Sequence, residues 1–327
     1  MRDAAYGTLL RGRRQQLHAQ IADVVESRFL KIAEAQPELL AHHCTQAGAV
    51  EKAIAYRLKA GELGIRRSAL AEAVAQLTIG LELLGDLSDG LERRKRELQL
   101  QLALARALLA SKGLSSAEMG RAYARARELS HEVGEARQAF SALQGLFGLY
   151  HNLVNLDGSR SIADEALRLA ERENDPAFEA MALRMAGVAT LFEARFAAAV
   201  AQLERALSIY DRLGHGSLDL LPFDARIISG SFLAWALLCD GRPDPALRRS
   251  KEALSTAHEL SHPYTLAFAL HVNCLFHQLR GDQSEVQRLA ATLTAYAADQ
   301  GFPLRPEPFS RVGHEPPPGM SRPASPI

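Results

Sequence analysis

The chain has 327 residues, 47% of them hydrophobic, and its 38 Lys plus Arg balance 38 Asp plus Glu to a formal charge of zero. That length suits two or three ordinary domains, or one elongated array in which each unit packs only on its neighbours, and the balanced charge supplies no global field to draw the chain to nucleic acid or an anionic membrane. No stretch approaches the roughly twenty consecutive apolar residues that a membrane helix requires, and the N-terminus carries no signal-peptide core.

From Asp3 to about Gln300 apolar residues recur at three- and four-residue intervals, and β-branched runs of strand length are almost absent, so the body is expected to be helical. The basic cluster Arg11, Arg13 and Arg14, like Arg93 to Arg96 and Arg248 with Arg249, reads as a solvated helix face. The repeat array is expected over 37–302. Gly48, Val50, Ala53, Arg57 and Ala60 fit the second half of one unit, and Gly61, Leu70, Ala73, Leu77 and Gly80 fit another. Between Leu91 and Asp175 the pattern fades, although Leu98, Leu102, Ala105 and Leu109 keep a helical stripe and Ala163, Leu167 and Ala170 resemble a second helix; two degenerate units are expected there.

The clearest unit runs from Ala180 to Asp211. Gly187, Ala194, Phe196, Ala199, Leu203, Ala206 and Asp211 stand at relative positions 8, 15, 17, 20, 24, 27 and 32. Ala234, Gly241, Pro243, Ala246, Ser250 and Ala253 repeat the offsets, and Cys274, Gly281, Val286, Ala290 and Leu293 form a weaker copy. Helix breaks are expected at Gly48, Ser88 to Gly90, Gly113, Asp157-Gly158, Asp175-Pro176, Gly214 to Gly216, Gly241 to Pro245 and Ser261 to Pro263. The last 25 residues, 303–327, hold eight of the fourteen prolines and no periodicity; they are expected to be disordered, either as an ordinary tail or as the product of a frameshift or truncation that replaced further repeats.

This order of small and large residues resembles the tetratricopeptide signature. Small residues at Gly187, Ala199, Ala206, Ala234, Ala246, Ala253 and Cys274 would let two antiparallel helices approach closely while the larger residue at position 24 fills the gap. Ala199, Ala246 and Val286 are 47 and 40 residues apart, longer than the roughly 34 of the standard repeat, so the helices or turns must be extended. The resemblance implies an all-α fold, a right-handed superhelical solenoid of helical hairpins. It also implies a concave groove lined by the first helix of each unit. Carried onto this chain, the groove would take Met181, Arg184, Val188, Leu191 and Phe192 from one unit. Ile228, Ser231, Trp235, Leu238 and Cys239 would come from the next, and Phe268, His271, Leu275, Gln278 and Leu279 from the third. Arg184, Ser231 and His271 would then form a polar track beside an apolar one that includes the single tryptophan, an arrangement suited to a partner segment.

Catalytic chemistry is hard to find. None of the six lysines is preceded by Gly or followed by Ser or Thr, which excludes a P-loop, and the chain has no GxGxxG after a strand, no GxSxG and no HExxH. Cys44, Cys239 and Cys274 show no CxxC spacing, against a disulfide framework or zinc knuckle and in keeping with a reducing cytoplasm. His42, His43 and Cys44 form one His/Cys group, and His271, Cys274 and His277 another. Three-residue steps place successive side chains about 60° apart on a helix, so the second trio could not converge on one ion unaided, and Cys274 already occupies a packing position. The acidic pairs Asp164-Glu165 and Glu171 with Glu173 lie on amphipathic helices where solvated faces and ion pairing are the default. The expectation is no catalytic, metal or cofactor site.

The opening stretch from Asp3 to Ala22 resembles the linker helices that join the ATPase module to the helical repeats in large bacterial signalling proteins, so residues 1–36 are expected to be linker helices resembling the end of an ATPase module. Gln36-Pro-Glu-Leu-Leu-Ala-His-His, Ala71-Glu-Ala-Val-Ala-Gln-Leu and Leu260-Ser-His-Pro-Tyr-Thr-Leu-Ala are further matches to those proteins. Those proteins join a class III adenylate or guanylate cyclase domain, a signal-transduction ATPase and tetratricopeptide repeats. The resemblance implies a cytoplasmic fragment without the cyclase and ATPase modules: a non-catalytic regulatory domain whose partners are those modules or a separate protein. A free-standing adaptor that binds a peptide or protein in the groove is the second reading. Neither calls for a nucleic acid or membrane partner.

Overall fold

The computed structural model describes residues 10–213, 224–260 and 262–300. The breaks expected at Gly214 to Gly216 and at Ser261, the first nine linker residues and the tail at 303–327 lie outside the described residues. Among the described residues there are fifteen α-helices, one short 3-10 turn at Leu84–Asp86 and no strand. In chain order the helices are α1 (Arg11–Arg28), α2 (Leu30–Ala35), α3 (Pro37–Ala47), α4 (Val50–Arg66), α5 (Leu70–Leu83), α6 (Leu91–Lys112), α7 (Ala117–Val133) and α8 (Ala136–Asn152). They continue with α9 (Leu156–Glu173), α10 (Pro176–Phe192), α11 (Phe196–Leu213), α12 (Ala225–Cys239), α13 (Pro243–Leu260), α14 (Pro263–Leu279) and α15 (Gln283–Asp299).

From α4 onward the helices pack as hairpins: α4 with α5, α6 with α7, and so on to α14 with α15. The first helices of successive hairpins, α4, α6, α8, α10, α12 and α14, also touch one another, whereas the second helices of successive hairpins scarcely meet. Packing that is tighter on one side curves the array toward that side, so the first helices line the inner face. The chain is an all-α, tetratricopeptide-like solenoid.

One turn chemistry recurs inside the hairpins. In the α8–α9 turn, Val154 N–H donates to the His151 carbonyl and Asn155 N–H to the Tyr150 carbonyl. The same two bonds recur at Ser68 and Ala69, Ala194 and Arg195, Gly241 and Arg242, and Gly281 and Asp282. This is a Schellman closure, which satisfies the last helical carbonyls and forces the first residue of each pair to positive φ. Glycine takes that place at Gly241 and Gly281, but Ser68, Val154 and Ala194 sit there at φ 59°, 55° and 59°. These three turns lack the glycine that marks a break in sequence. The break expected at Asp157-Gly158 falls instead at Leu153 to Asn155, because the Asn155 side chain accepts from Gly158 N–H and caps α9, placing Gly158 inside the helix. Pro176, Pro243 and Pro263 each open a helix, where the missing N–H costs nothing.

The close approach at Gly187 is visible directly: a Cβ there would lie 2.7 Å from Leu203 Cγ. Gly61 faces Leu77 in the same way, so α4 and α5 form one hairpin. The stretches read from sequence as two units, Gly48 to Ala60 and Gly61 to Gly80, are therefore one helix and its partner. Ala199, Ala206, Ala234, Ala246, Ala253 and Cys274 are all buried. In the α8–α9 hairpin, which the pattern hardly marks, Phe147 occupies the place of Gly187 and Ala163 that of Leu203; both are buried in the same core. The bulk there has changed sides.

The main apolar core runs continuously from α6 to α14, with smaller clusters at either end. Helix α10 is buried nearly all round from Phe178 to Leu191, as expected of a helix enclosed by neighbours. Charged pairs tie the hairpins together at the surface. Arg127 grips Glu165 across α7 and α9, and Arg160 reaches Glu193 at 2.6 Å across α9 and α10.

Candidate functional site

The inner face gathers aromatic side chains from four successive first helices. His151 of α8 packs edge-on against Phe192 of α10 with ring centroids 4.5 Å apart, and Phe192 lies 6.0 Å from Trp235 of α12. Phe232 of α12 meets Trp235 and Phe268 of α14, each at 6.0 Å. A helix places residues three and four apart on one side, so Phe147 with His151, and Phe232 with Trp235, each present a contiguous surface. Phe192 remains 37% exposed, and His151, Trp235 and Phe268 are part-exposed, whereas Phe232 is buried beneath them. The result is a continuous apolar strip, partly open to solvent, that crosses four hairpins. Aromatic groups carry large contact area and little side-chain entropy, and they dominate interface energetics.

The five residues nominated from sequence take different places. Trp235 stands in the strip. His271 is half-buried on the inner side of α14, and Gln278 is exposed near the end of that helix. Ser231 is 1% exposed and donates to the Ile227 carbonyl of its own helix, which occupies its hydroxyl. Arg184 is 2% exposed; its guanidinium donates to the Gln144 side-chain carbonyl on α8 and lies beside Tyr210 of α11. The polar track expected through Arg184, Ser231 and His271 is therefore not a continuous surface feature, because neighbouring helices cover the first two. Of the apolar groove residues, Phe192 and Phe268 join Trp235 in the strip, while Met181, Val188, Leu191 and Ile228 are buried in the core.

The residues missed from sequence are Gln144, Phe147, His151 and Phe232. The first three lie on α8, where the repeat pattern fades and gives no register; Phe232 lies three residues before Trp235, and that spacing was its one visible signal.

Electrostatics follow burial. His151 is pulled below the ordinary imidazole range by burial first and by the Arg184 charge second, and His271 by burial alone. Both are neutral at pH 7. Burial lowers Arg184 too, with Tyr210 opposing, and the Tyr210 phenol is pushed up to about 12.

The two His/Cys groups are distributed as follows. Cys274 is buried with its thiol toward the Val286 carbonyl, and His277 faces Asp282 at 3.3 Å, so this trio does not converge. Near the N-terminal end, His18 Nδ1 meets His43 Nδ1 at 2.7 Å with His42 alongside, while Cys44 turns into the core. Among the described residues no three His, Cys, Asp or Glu side chains are arranged to hold a metal, and no helix is long and apolar enough to cross a membrane.

This architecture defines the class of protein: a tetratricopeptide-like helical-repeat protein with a partly open aromatic strip on its inner face. No family model matches the chain. It is 24% identical over 304 residues to an uncharacterized protein of Rhizobium meliloti (strain 1021), a match that covers 91% of this chain and 29% of that protein. The chain thus spans under a third of the length of the curated relative it matches. Among solved structures it is similar to the apo form of RapI, with a TM-score of 0.59 at 15% identity over 76% of this chain and 84% of that one. It is also similar to the Rap conjugation gene regulator of a plasmid, solved in complex with a Phr peptide, with a TM-score of 0.55 at 14% identity over 77% of this chain and 64% of that one. At such identities the likeness is one of fold.

Proposed function

We propose that this chain is a non-catalytic protein-interaction repeat domain that holds a partner segment against the aromatic strip of its inner face. The observation that carries the reading is the strip itself: part-exposed rings from α8, α10, α12 and α14 linked by successive ring contacts across four hairpins, the last through the buried Phe232. A monomer leaves so continuous an apolar surface open mainly where something docks. The peptide-bound Rap regulator, which shares the fold, supports a segment as the partner. The match to part of a much longer Rhizobium meliloti protein is in keeping with a role within a larger protein; that this would be a cyclase- or ATPase-linked signalling protein, with the strip engaging an attached module, rests on the sequence resemblance. A free-standing adaptor is the alternative, and in either setting the residues act by contact.

The single tryptophan lies in the strip and reports on it directly. Arrayed random dodecapeptides should yield sequences that shift Trp235 emission on titration, with binding lost in Phe192→Ser, a change at a part-exposed ring that spares the fold. If no peptide binds tighter than about 100 μM, or if binders are indifferent to Phe192→Ser, the strip is not a binding face.

A further inference from the structure

The strip has an electrostatic floor. Arg184 sits on α10 one helical turn before Val188 and two before Phe192, on the same side of the helix. Its guanidinium cannot lose its proton in a protein. Around it stand the Gln144 amide and the Tyr210 phenol, which offer dipoles but no negative charge. Among the described residues no carboxylate pairs with it, and its Nε finds no partner. The other ionisable groups of the strip do not offset it: His151 and His271 are neutral, and Glu193 at the end of α10 is already held by Arg160 and Arg195.

We propose that Arg184 sets the charge preference of the inner face, favouring partner segments that place an aspartate or glutamate side chain beside the α8–α10 end of the aromatic strip and disfavouring those that place a lysine or arginine there. The inference rests on the reading of the strip as a binding face. A cation enclosed by protein is poorly screened, so its field reaches the nearest surface much less attenuated than that of a solvated arginine. His151, whose ring is part of the strip, has its basicity lowered by burial first and by the Arg184 charge second, in keeping with a field that reaches the strip. An acidic group docked there would relieve a buried charge that no carboxylate among the described residues compensates, and a basic one would add to it; repulsion of this kind is a recognised source of specificity.

The test uses three pools of dodecapeptides with identical random apolar positions and one fixed Asp, Asn or Lys, titrated against the full chain at fixed salt with Trp235 emission as readout. The Asp pool should bind at least about 10-fold tighter than the Lys pool, a difference of roughly 1.4 kcal/mol, with the Asn pool between. Arg184→Met, which substitutes an apolar chain of similar length, should bring the Asp-to-Lys ratio close to one while leaving Asn-pool affinity within about twofold. Arg184→Lys, which keeps the charge, should preserve the ratio and covers the case in which the methionine variant fails to fold. An equal or better Lys pool with wild type, or an Asp preference that survives Arg184→Met, would overturn the assignment and leave the binding face intact. If none of the pools binds, the reading of the strip fails, and the assignment with it.

Discussion

The steric claim at Gly187 can be put to a quantitative test. Adding a methyl group there sets a carbon 2.7 Å from Leu203 Cγ and 2.9 Å from Cδ2, against an ordinary carbon contact of about 3.5–4.0 Å. Leu203 is fully buried and cannot swing into solvent, so α10 and α11 must part by several tenths of an ångström or Leu203 must leave its rotamer. Overpacking of this size costs about 1–3 kcal/mol. The better helix propensity of alanine returns up to about 1 kcal/mol, leaving a net destabilisation of up to about 2 kcal/mol for Gly187→Ala. Leu203→Ala alone should cost about 2–5 kcal/mol through its cavity. In the double variant the new methyl occupies part of the space that the leucine vacates, so the loss should fall short of the summed single losses by about 1 kcal/mol or more. Urea unfolding followed by circular dichroism at 222 nm measures all three. A stabilising Gly187→Ala, or strict additivity in the double variant, would refute the close-packing argument. The α8–α9 hairpin already uses the reverse arrangement, with Phe147 and Ala163.

Three other outcomes are expected. Val154 is held at φ 55° and is 73% exposed, so Val154→Gly forfeits almost no burial, removes about 1–2 kcal/mol of left-handed strain and should raise the urea midpoint; an unchanged or lower midpoint would count against strain in that turn. Ser250 donates to Asn273 between α13 and α14, both buried, so Ser250→Ala should strand the amide oxygen and cost about 1–3 kcal/mol, whereas an effect below about 0.5 kcal/mol would mean that the bond contributes little. His18 and His43 are both held below the usual imidazole range, by burial first and then by neighbouring charges that include His42. The folded chain therefore binds fewer protons there than the unfolded one, and stability is full above about pH 6.5 and falls as pH drops below it. The urea midpoint should decline from pH 7.5 to 5.5, and the decline should shrink in a His18→Gln, His43→Gln double variant; an identical decline would place the effect elsewhere.

Helix period, the small-large alternation around Gly187 and Leu203, and the helix-opening prolines were legible in the sequence because each is enforced locally, by the turn of one helix or by its contact with the next. The all-helical repeat class follows from these alone. Tertiary structure decided the rest. Whether Arg184 faces a partner or the interior depends on how far α8 and α11 close over α10, which no spacing within α10 encodes, and the burial of Ser231 likewise depends on what packs against α12. The α8 face, with Gln144, Phe147 and His151, escaped notice because exchanging a bulky and a small residue across a hairpin preserves packing volume while erasing the one-dimensional signature. The turns at Ser68, Val154 and Ala194 were silent because their left-handed residues are not glycine and are held there by hydrogen bonds to the preceding helix. A repeat sequence records which residues each unit needs in order to pack on the next; the curvature that joins rings from four units into one strip arises only when those units are stacked.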